Sequence, residues 1–533
     1  MSKKVFFQIH WFLGITAGLI LSLMGVTGAI YSYDQQILKW LNQYSYVVEA
    51  AQTPKLSPAQ LYQHFNQQQP EIEINIITIA ADPTESSTVN IKKEGARRGY
   101  NMMVNPYTAE VLPDIKGRDT LQFIQRLHRN ITAGEFGAQI TGASTLMLIF
   151  FVLSGIYLRF PKKHSIKQWL FIKPKLKGRN FIWDLHAVVG TWVVVFYLLF
   201  ACTGLYWSYD WWRAGMFKVM GVEQPQRNQQ NNERGKDKQL KLTNAQLNTI
   251  LTQTWTGVNA QIGREYSSLT LNIPKNADAK VELSFVDAIP QHERARNQAV
   301  YNYQDNKFEK FELYEDKKLN EKIMSSMLPV HRGSFFGSTY QFIAMLASLA
   351  MPLFFVTGWM LYLKRRKQKK LTQAARQSLS AQQIDTKAKP WLITYATQTG
   401  VAEQLAWRTA TSLQEAQQPT TVKPIQQLTE QDLLQAEQVL FVVSTYGTGE
   451  APDLAASFNK KLMQQKLELA HMQYAVLALG SREYPDSYCS FGYAVDAWLK
   501  QCHAHPLFDL IEVDNANSND IQCWNQALSV VTQ

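Results

Sequence analysis

The sequence predicts a multi-domain fold: a four-helix transmembrane bundle with two small α+β extracytoplasmic modules, followed by a C-terminal doubly wound α/β domain built on a parallel sheet. Three observations predict it. Four apolar runs each reach the roughly 20 residues that carry a helix across a bilayer. Two polar stretches between them each read as one helix followed by alternating strands. From Trp391 onward the pattern changes to buried strands that end in Thr- and Gly-rich turns and run into helices.

The four runs form an internal repeat. HWFLGITAGLILSLMGVTGAIYSYD, from His10 to Asp34, matches HAVVGTWVVVFYLLFACTGLYWSYD, from His186 to Asp210, without a gap. Each opens on a histidine, has a glycine four places on (Gly14, Gly190), and closes on Thr-Gly and then Ser-Tyr-Asp. A histidine in a span is a functional-site hypothesis that needs a partner, and each copy supplies the other's. Positions i and i+4 share a helix face, so Gly14 and Gly190 leave a flat gap beside each imidazole where a planar macrocycle would fit. The bland alternative is that these small residues only let two spans pack closely.

A second repeat accompanies the first. LHRNITAG, from Leu127 to Gly134, and VHRGSFFG, from Val330 to Gly337, each place His-Arg before an apolar run. The runs end on Ser154-Gly155 and Thr357-Gly358 at the same spacing. Neutral imidazole is a usual axial ligand of haem iron, so His10, His128, His186 and His331 make two bis-histidine sites. Pairing is expected to follow the membrane face, His10 with His186 and His128 with His331. Arg129 and Arg332 are then placed to neutralise haem propionates, and Gly28 and Gly204 to leave space near the outer haem. His128 precedes the clear apolar run at Ile140 by too much for one straight helix, so a bend near Gly134 or Gly137 is required.

At 533 residues and 46% hydrophobic content the chain has room for several domains. The net charge of +11 does not point to nucleic acid, because the basic residues crowd beside the apolar runs instead of forming a stripe interleaved with aromatics. Cys202, Cys489, Cys502 and Cys523 show no metal spacing and no disulfide framework. The first span, about 6–30, is too long for a signal peptide. The first polar module, about 33–126, holds LSPAQLYQHF as a helix and INIITIA, TVNIKKE and YNMMVNP as strands. The second span covers about 140–160, and the loop from Arg159 to Arg179 carries six lysines and no acid, which makes it cytoplasmic. The third span, about 181–206, leads to the second module, about 210–326, with LTNAQLNTILTQ, SLTLNIP, KVELSFV and AVYNYQ. The fourth, about 335–363, ends in KRRKQKK, so both termini are cytoplasmic. YSYD and WSYD at the span ends read as interfacial anchors or as lining of an approach path. His64 and His164 read as solvated residues, and His471, His503 and His505 belong to the C-terminal domain without metal spacing.

Over about residues 1–370 the chain resembles the PepSY-associated transmembrane proteins. The HxxxG spans, the LHR and VHR entries, and NPYTAEVL at Asn105–Leu112 carry the resemblance, the last being similar to the end of a PepSY module. It implies an inner-membrane reductase with two b-type haems ligated by His10, His128, His186 and His331. Some members are associated with releasing iron from siderophores.

An Ala/Gln-rich linker is expected at about 371–390. WLITYATQTGVAEQLA then presents Thr397, Gln398, Thr399, Gly400, Val401 and Ala402 at a helix N-terminus, an anion cradle. QVLFVVSTYGTGEAPD adds Thr445, Tyr446, Gly447, Thr448 and Gly449, and YAVLALGSREYPDSYC adds Leu479, Gly480 and Tyr484. Three strand-end loops at one sheet edge are where a doubly wound fold binds its ligand. Residues 391–533 resemble a flavodoxin-type FMN domain of the sulfite reductase flavoprotein class. The resemblance implies a phosphate loop at YATQTGVAE and flavin stacking on Tyr446 and Tyr484. Asp514 and Trp524 resemble the last segment near the FMN, while Ser481 departs from the acid or amide many relatives carry.

No ferredoxin-reductase-like FAD domain and no GxGxxG nicotinamide site follow, so a separate soluble NAD(P)H-dependent flavin reductase is expected as donor. The expected wiring runs from cytoplasmic FMN through the inner and outer haems to a periplasmic acceptor, ferric siderophore iron. The alternatives are another periplasmic acceptor, a quinone, or a periplasmic partner-binding or redox-sensing membrane protein.

Overall fold

The computed structural model describes residues 3–69, 71–94, 96–160, 166–224, 242–275, 280–380, 389–445, 449, 451–452 and 455–532. Among the described residues four helices are long and apolar enough to cross a membrane: Val5–Tyr31, Gly134–Arg159, Gly178–Ser208 and Ser338–Gln377. The fourth is two helices, Ser338–Leu349 and Met351–Ser380, meeting at Ala350. Its helical continuation to Ser380 occupies the first half of the stretch expected as linker. The chain divides into two compact units, one of residues 16–152 and 194–352, the other of 1–15, 153–193 and 353–533.

In the first unit, two helix-then-strands stretches build a single sheet. The helix Pro58–Gln68 precedes β1 (Ile74–Ala80), β2 (Ser87–Lys93) and β3 (Ala96–Val104). The helix Asn244–Gln261 precedes β4 (Tyr266–Asn272), β5 (Lys280–Asp287), β6 (Arg296–Asn302) and β7 (Lys307–Glu312). Both helices open on a capping box, Ser57 with Gln60 and Thr243 with Gln246, which satisfies two otherwise orphaned N–H groups in each. The antiparallel order is β3-β2-β1-β4-β5-β6-β7. The two expected modules are therefore joined, because β1 pairs with β4 from Ile76↔Asn272 to Ala80↔Ser268. That pairing covers one exposed edge of each half. Leu61, Ile77, Val89 and Leu251 are buried beneath one half, and Leu269, Phe285 and Tyr301 beneath the other.

The LHR and VHR stretches lie on helices separate from the spans. Arg118–Asn130 carries His128 and stops at Ile131 and Thr132, whose φ angles of 43° and 61° break the helix before Gly134. A side chain at Gly137 would stand 1.9 Å from the Asn130 carbonyl, so only glycine permits the chain to fold back this tightly. Met327–Arg332 carries His331 and stops at Gly333, with φ 90°. The bend required near Gly134 is present, and its counterpart lies at Gly333–Gly337.

In the second unit, β8 (Trp391–Ala396), β9 (Thr420–Pro424), β10 (Gln438–Ser444), β11 (Gln473–Gly480), β12 (His505–Pro506) and β13 (Ile511–Asp514) form a parallel sheet. The order is β9-β8-β10-β11, with β12 and β13 sharing the far side of β11. The chain reverses direction of travel between β8 and β10, the switch point at which such folds open a crevice. Both faces are covered, one by a core around Phe441, Val476 and Trp498 and the other around Ile393, Leu440 and Trp524.

Candidate functional site

Each of the four repeat histidines has Nδ1 against a hydroxyl of the repeated Ser/Thr-Gly pairs. His10 Nδ1 lies 2.8 Å from Ser154 Oγ, and His186 Nδ1 lies 2.7 Å from Thr357 Oγ1. His331 Nδ1 lies 2.7 Å from Thr203 Oγ1, and His128 Nδ1 lies 3.3 Å from Thr27 Oγ1 and 2.9 Å from the Met24 carbonyl. A carbonyl only accepts, so His128 carries its hydrogen on Nδ1. Thr27, Thr203 and Thr357 donate their own hydrogens to the carbonyls of Leu23, Leu199 and Leu353, four residues back. Their hydroxyl oxygens are thereby left as acceptors, and Nδ1–H donation fixes Nε2 as the lone-pair nitrogen of those rings.

The glycines of these pairs complete the sockets. A Cβ at Gly28 would stand 2.9 Å from His128 Cε1, and at Gly204 3.6 Å from His331 Cε1. Gly28 and Gly204 thus seat the imidazoles themselves, which differs from the expectation that they clear space beside a bound group. A Cβ at Gly155 would stand 3.9 Å from His10 Cε1, while one at Gly14 would meet nothing within 4 Å. Gly190 instead faces Phe354, whose ring centre is 5.1 Å from that of His186.

The rings of His128 and His331 come together, with centroids 6.3 Å apart at 65°. Phe200 and Trp207 flank His331 at 6.0 and 5.5 Å. Burial holds both imidazoles below their ordinary value, and for His331 the neighbouring His128 and Arg332 add to it. Both are therefore neutral, the form that ligates metal. His10 and His186 lie within electrostatic range of each other. Among the described residues no group of three or more His, Cys, Asp or Glu converges.

The two arginines behave differently. Arg332 makes a 2.9 Å ion pair with Asp34, with side chains 7% and 9% exposed, and its guanidinium lies 5.0 Å from the centre of the Tyr31 ring. Its first partner is this carboxylate, with that of Glu293 at 3.9 Å. Tyr31, whose hydroxyl accepts from Gln125, is part of the same packing. Arg129 is exposed, and so is Asp210, the repeat partner of Asp34, which pairs with Arg213. The repeat is broken at this one ion pair.

In the second unit the three loops gather at the ends of β8, β10 and β11. Gly400, at φ 89°, donates its N–H to Thr397 Oγ1 at 2.8 Å and leads into the helix Val401–Glu415, whose first turn has no side-chain cap. A Cβ there would be in ordinary contact with Gln368 of the fourth helix's tail, at 3.9 Å. Such a turn accepts an anion on backbone N–H groups. The second and third loops are stitched together: Thr445 N–H donates to the Leu479 carbonyl, and Phe491 N–H donates to Thr445 Oγ1 at 3.1 Å. Gly449, at φ 108°, accepts from Ser490 Oγ through its carbonyl at 2.8 Å. Gly480 is packed shut, since a Cβ would stand 2.7 Å from Cys489 N. Its role is close packing of strand on helix. Tyr446, Gly447 and Thr448 lie outside the described residues.

Tyr484 does not present a bare ring. The Lys173 ammonium lies 3.8 Å from its centre, and Asn180 donates to Asn515 Oδ1 at 3.3 Å. Arg376 pairs with Glu403 at 2.6 Å. The β8–β13 domain is therefore docked on the loop between the second and third spans and on the tail of the fourth helix. Trp524 is a core residue, donating to Thr409 Oγ1 at 3.0 Å. His64, His471, His503 and His505 are exposed, and His164 is outside the described residues. Sequence reasoning missed His292, buried and 2.8 Å from the Tyr314 hydroxyl.

Comparison with known proteins agrees with this division. The chain is 32% identical to NADPH oxidoreductase A of Dictyostelium discoideum over 145 residues, 27% of this chain and 22% of that protein. It is 33% identical to the sulfite reductase [NADPH] flavoprotein alpha-component of Shewanella sp. (strain MR-7) over 123 residues, 23% of this chain and 20% of that one. It thus spans about a fifth of the length of these curated relatives. Among solved structures, the Streptococcus pneumonia TIGR4 flavodoxin is 26% identical, with 26% of this chain covering 96% of that one at a TM-score of 0.25. Residues 393–524 match Flavodoxin, so the C-terminal part is a flavodoxin-like domain. Residues 7–365 match the PepSY-associated TM region, and the chain belongs to that family.

Proposed function

We propose that the protein is an inner-membrane flavohaem reductase. It passes electrons from FMN in a cytoplasmic flavodoxin domain, through two b-type haems, to a periplasmic acceptor, ferric siderophore iron. The observation that carries this reading is the fourfold socket: every repeat histidine meets a Ser or Thr hydroxyl through Nδ1. Two imidazoles sharing one metal ion through bonds of about 2 Å have ring centres roughly 6 Å apart, and the His128–His331 separation of 6.3 Å suits this. His10 with His186 would hold the inner haem, and His128 with His331 the outer. Bound there, the cofactors supply the redox chemistry, two-electron uptake at the flavin and one-electron carriage at each iron.

The chain's own residues do the rest. The hydroxyl sockets set ring orientation and keep Nε2 available as a ligand. Thr397, Gly400 and the first turn at Val401 and Ala402 hold the flavin phosphate. Lys173 on Tyr484 keeps the flavodoxin domain against the basic loop on the inner face. Exposed Arg129 remains for a propionate. The hydride-accepting step is assigned to a separate NAD(P)H-dependent flavin reductase. Detergent-purified protein tests the reading: reducible Soret and α bands at two haems per chain, with flavin absorption, are expected. A haem-free preparation that still binds a periplasmic partner would replace the reductase with a partner-binding protein.

A further inference from the structure

A cavity of about 420 Å³ in the first unit, lined by Arg294, Arg296, Gln298, Tyr314, Lys317 and Ser325, has no part in the histidine sockets. No carboxylate lines it. Among the described residues Arg294, Arg296 and Lys317 make no ion pair, whereas nearby Arg332 pairs with Asp34 and Arg264 with Glu315 and Asp287. The ammonium groups of Lys317 and Lys322 stand 5.8 and 5.6 Å from the centre of the Tyr314 ring. Glu293 is shared with Arg332 and with Ser334, and Glu312, opposite Gln298 on the neighbouring strand, pairs with Lys310.

Arg296 and Gln298 are two apart on β6 and so share a face, with Arg294 just before them in line. Burial, and then the charge of Arg332, hold the Arg294 guanidinium below its ordinary value, with Arg296 adding to it. Like charges gathered without a counter-ion repel one another, and an anion in their midst removes that repulsion. Guanidinium forks take carboxylates in a bidentate grip, and the volume is in the range of small-molecule sites. The cavity is also linked to the helix that carries His331. Tyr314 lies 2.9 Å from Ser326 Oγ, and Ser326 precedes the helix Met327–Arg332 that carries His331.

We propose that this cavity binds a compact polycarboxylate, free or as its ferric chelate, and is the docking place of the acceptor. The second clause rests on the reductase reading, while the binding itself does not. The test is calorimetric titration of the full chain in nanodiscs with citrate and with ferric citrate, haem and flavin absorbance being recorded on the same samples. Arg294→Gln/Arg296→Gln is expected to weaken binding about tenfold or more, and Lys317→Gln to weaken it in the same direction without touching the core. Arg294→Lys/Arg296→Lys should restore part of the loss, and added salt should weaken the wild type. Equal affinity in wild type and variants, or no binding by the wild type, overturns the proposal. Loss of haem absorbance in the Gln variant also overturns it, by giving these cations to the macrocycle. A wild type without haem whose citrate binding still follows the three cations keeps the cavity and removes the reductase reading.

Discussion

Thr203 Oγ1 lies 2.7 Å from His331 Nδ1 while its own hydrogen is directed to the Leu199 carbonyl. The hydroxyl is therefore an acceptor that the imidazole cannot replace within its pocket. Thr203→Val keeps the shape and leaves a buried N–H without a partner. Outer-shell losses of this kind lower metal-site affinity about 10- to 100-fold. The expected outcome is a weaker outer haem, read as haem lost on dilution and a shifted midpoint potential, with Thr203→Ser restoring both. Unchanged retention and potential in Thr203→Val would remove the socket argument.

Removing a ligand tests the pairing. His128→Ala and His331→Ala should each lose the same haem, and His10→Ala and His186→Ala the other, measured as pyridine haemochrome per chain. After His331→Ala the inner haem should still be reduced from the flavin. Two haems retained in His331→Ala would sink the outer pair, and one haem per wild-type chain would sink the two-haem arrangement.

The flavin cradle depends on small and hydroxylated side chains at the β8 turn. Thr397→Leu/Thr399→Leu removes the oxygen that accepts from Gly400 N–H and adds apolar bulk to the turn. FMN content should fall close to zero by fluorescence after denaturation, with haem content near that of the wild type. Parallel loss of haem would mean that the docked domain and the membrane helices fold as one.

His292 gives a pH dependence outside the spans. Arg294 N–H donates to its Nδ1 at 3.0 Å, so Nε2 carries the hydrogen toward the Tyr314 hydroxyl. Burial, the main cause, lowers its pKa, and the charge of Arg294 adds to this. A base with a depressed folded pKa contributes its full stability above its unfolded value of about 6.5, and loses it as pH falls through the window below. Thermal unfolding should therefore occur at lower temperature at pH 5.5 than at pH 7.5, and His292→Gln should flatten this slope. An unchanged slope in the variant assigns the acid sensitivity elsewhere.

Much of this was legible because periodicity and repetition report on backbone and burial. The duplicated His and Thr-Gly positions were visible as a pattern, and the hydroxyl-to-imidazole pairing gives the pattern its reason. What could not be read were relations between side chains distant in sequence. Nothing local marks Asp34 as the partner of Arg332, or Lys173 as the neighbour of Tyr484. The strand β7, KFEKFE, is exposed along most of its length, so its composition hides an edge strand. Gly28 and Gly204 were legible as small residues, but the direction in which their missing side chains make room depends on where a folded-back helix delivers its histidine.

The ladder from Ile76↔Asn272 to Ala80↔Ser268 turns a duplication into a built-in dimer. A subunit with one copy of the repeat would need a second chain to close its sheet, at a stoichiometry set by concentration. Here the partner is always present at an effective concentration fixed by the connecting chain. Inheritance is changed as well. The two copies can diverge, one keeping a buried Asp–Arg pair and the other losing it, without any risk that unlike subunits assemble in the wrong combination.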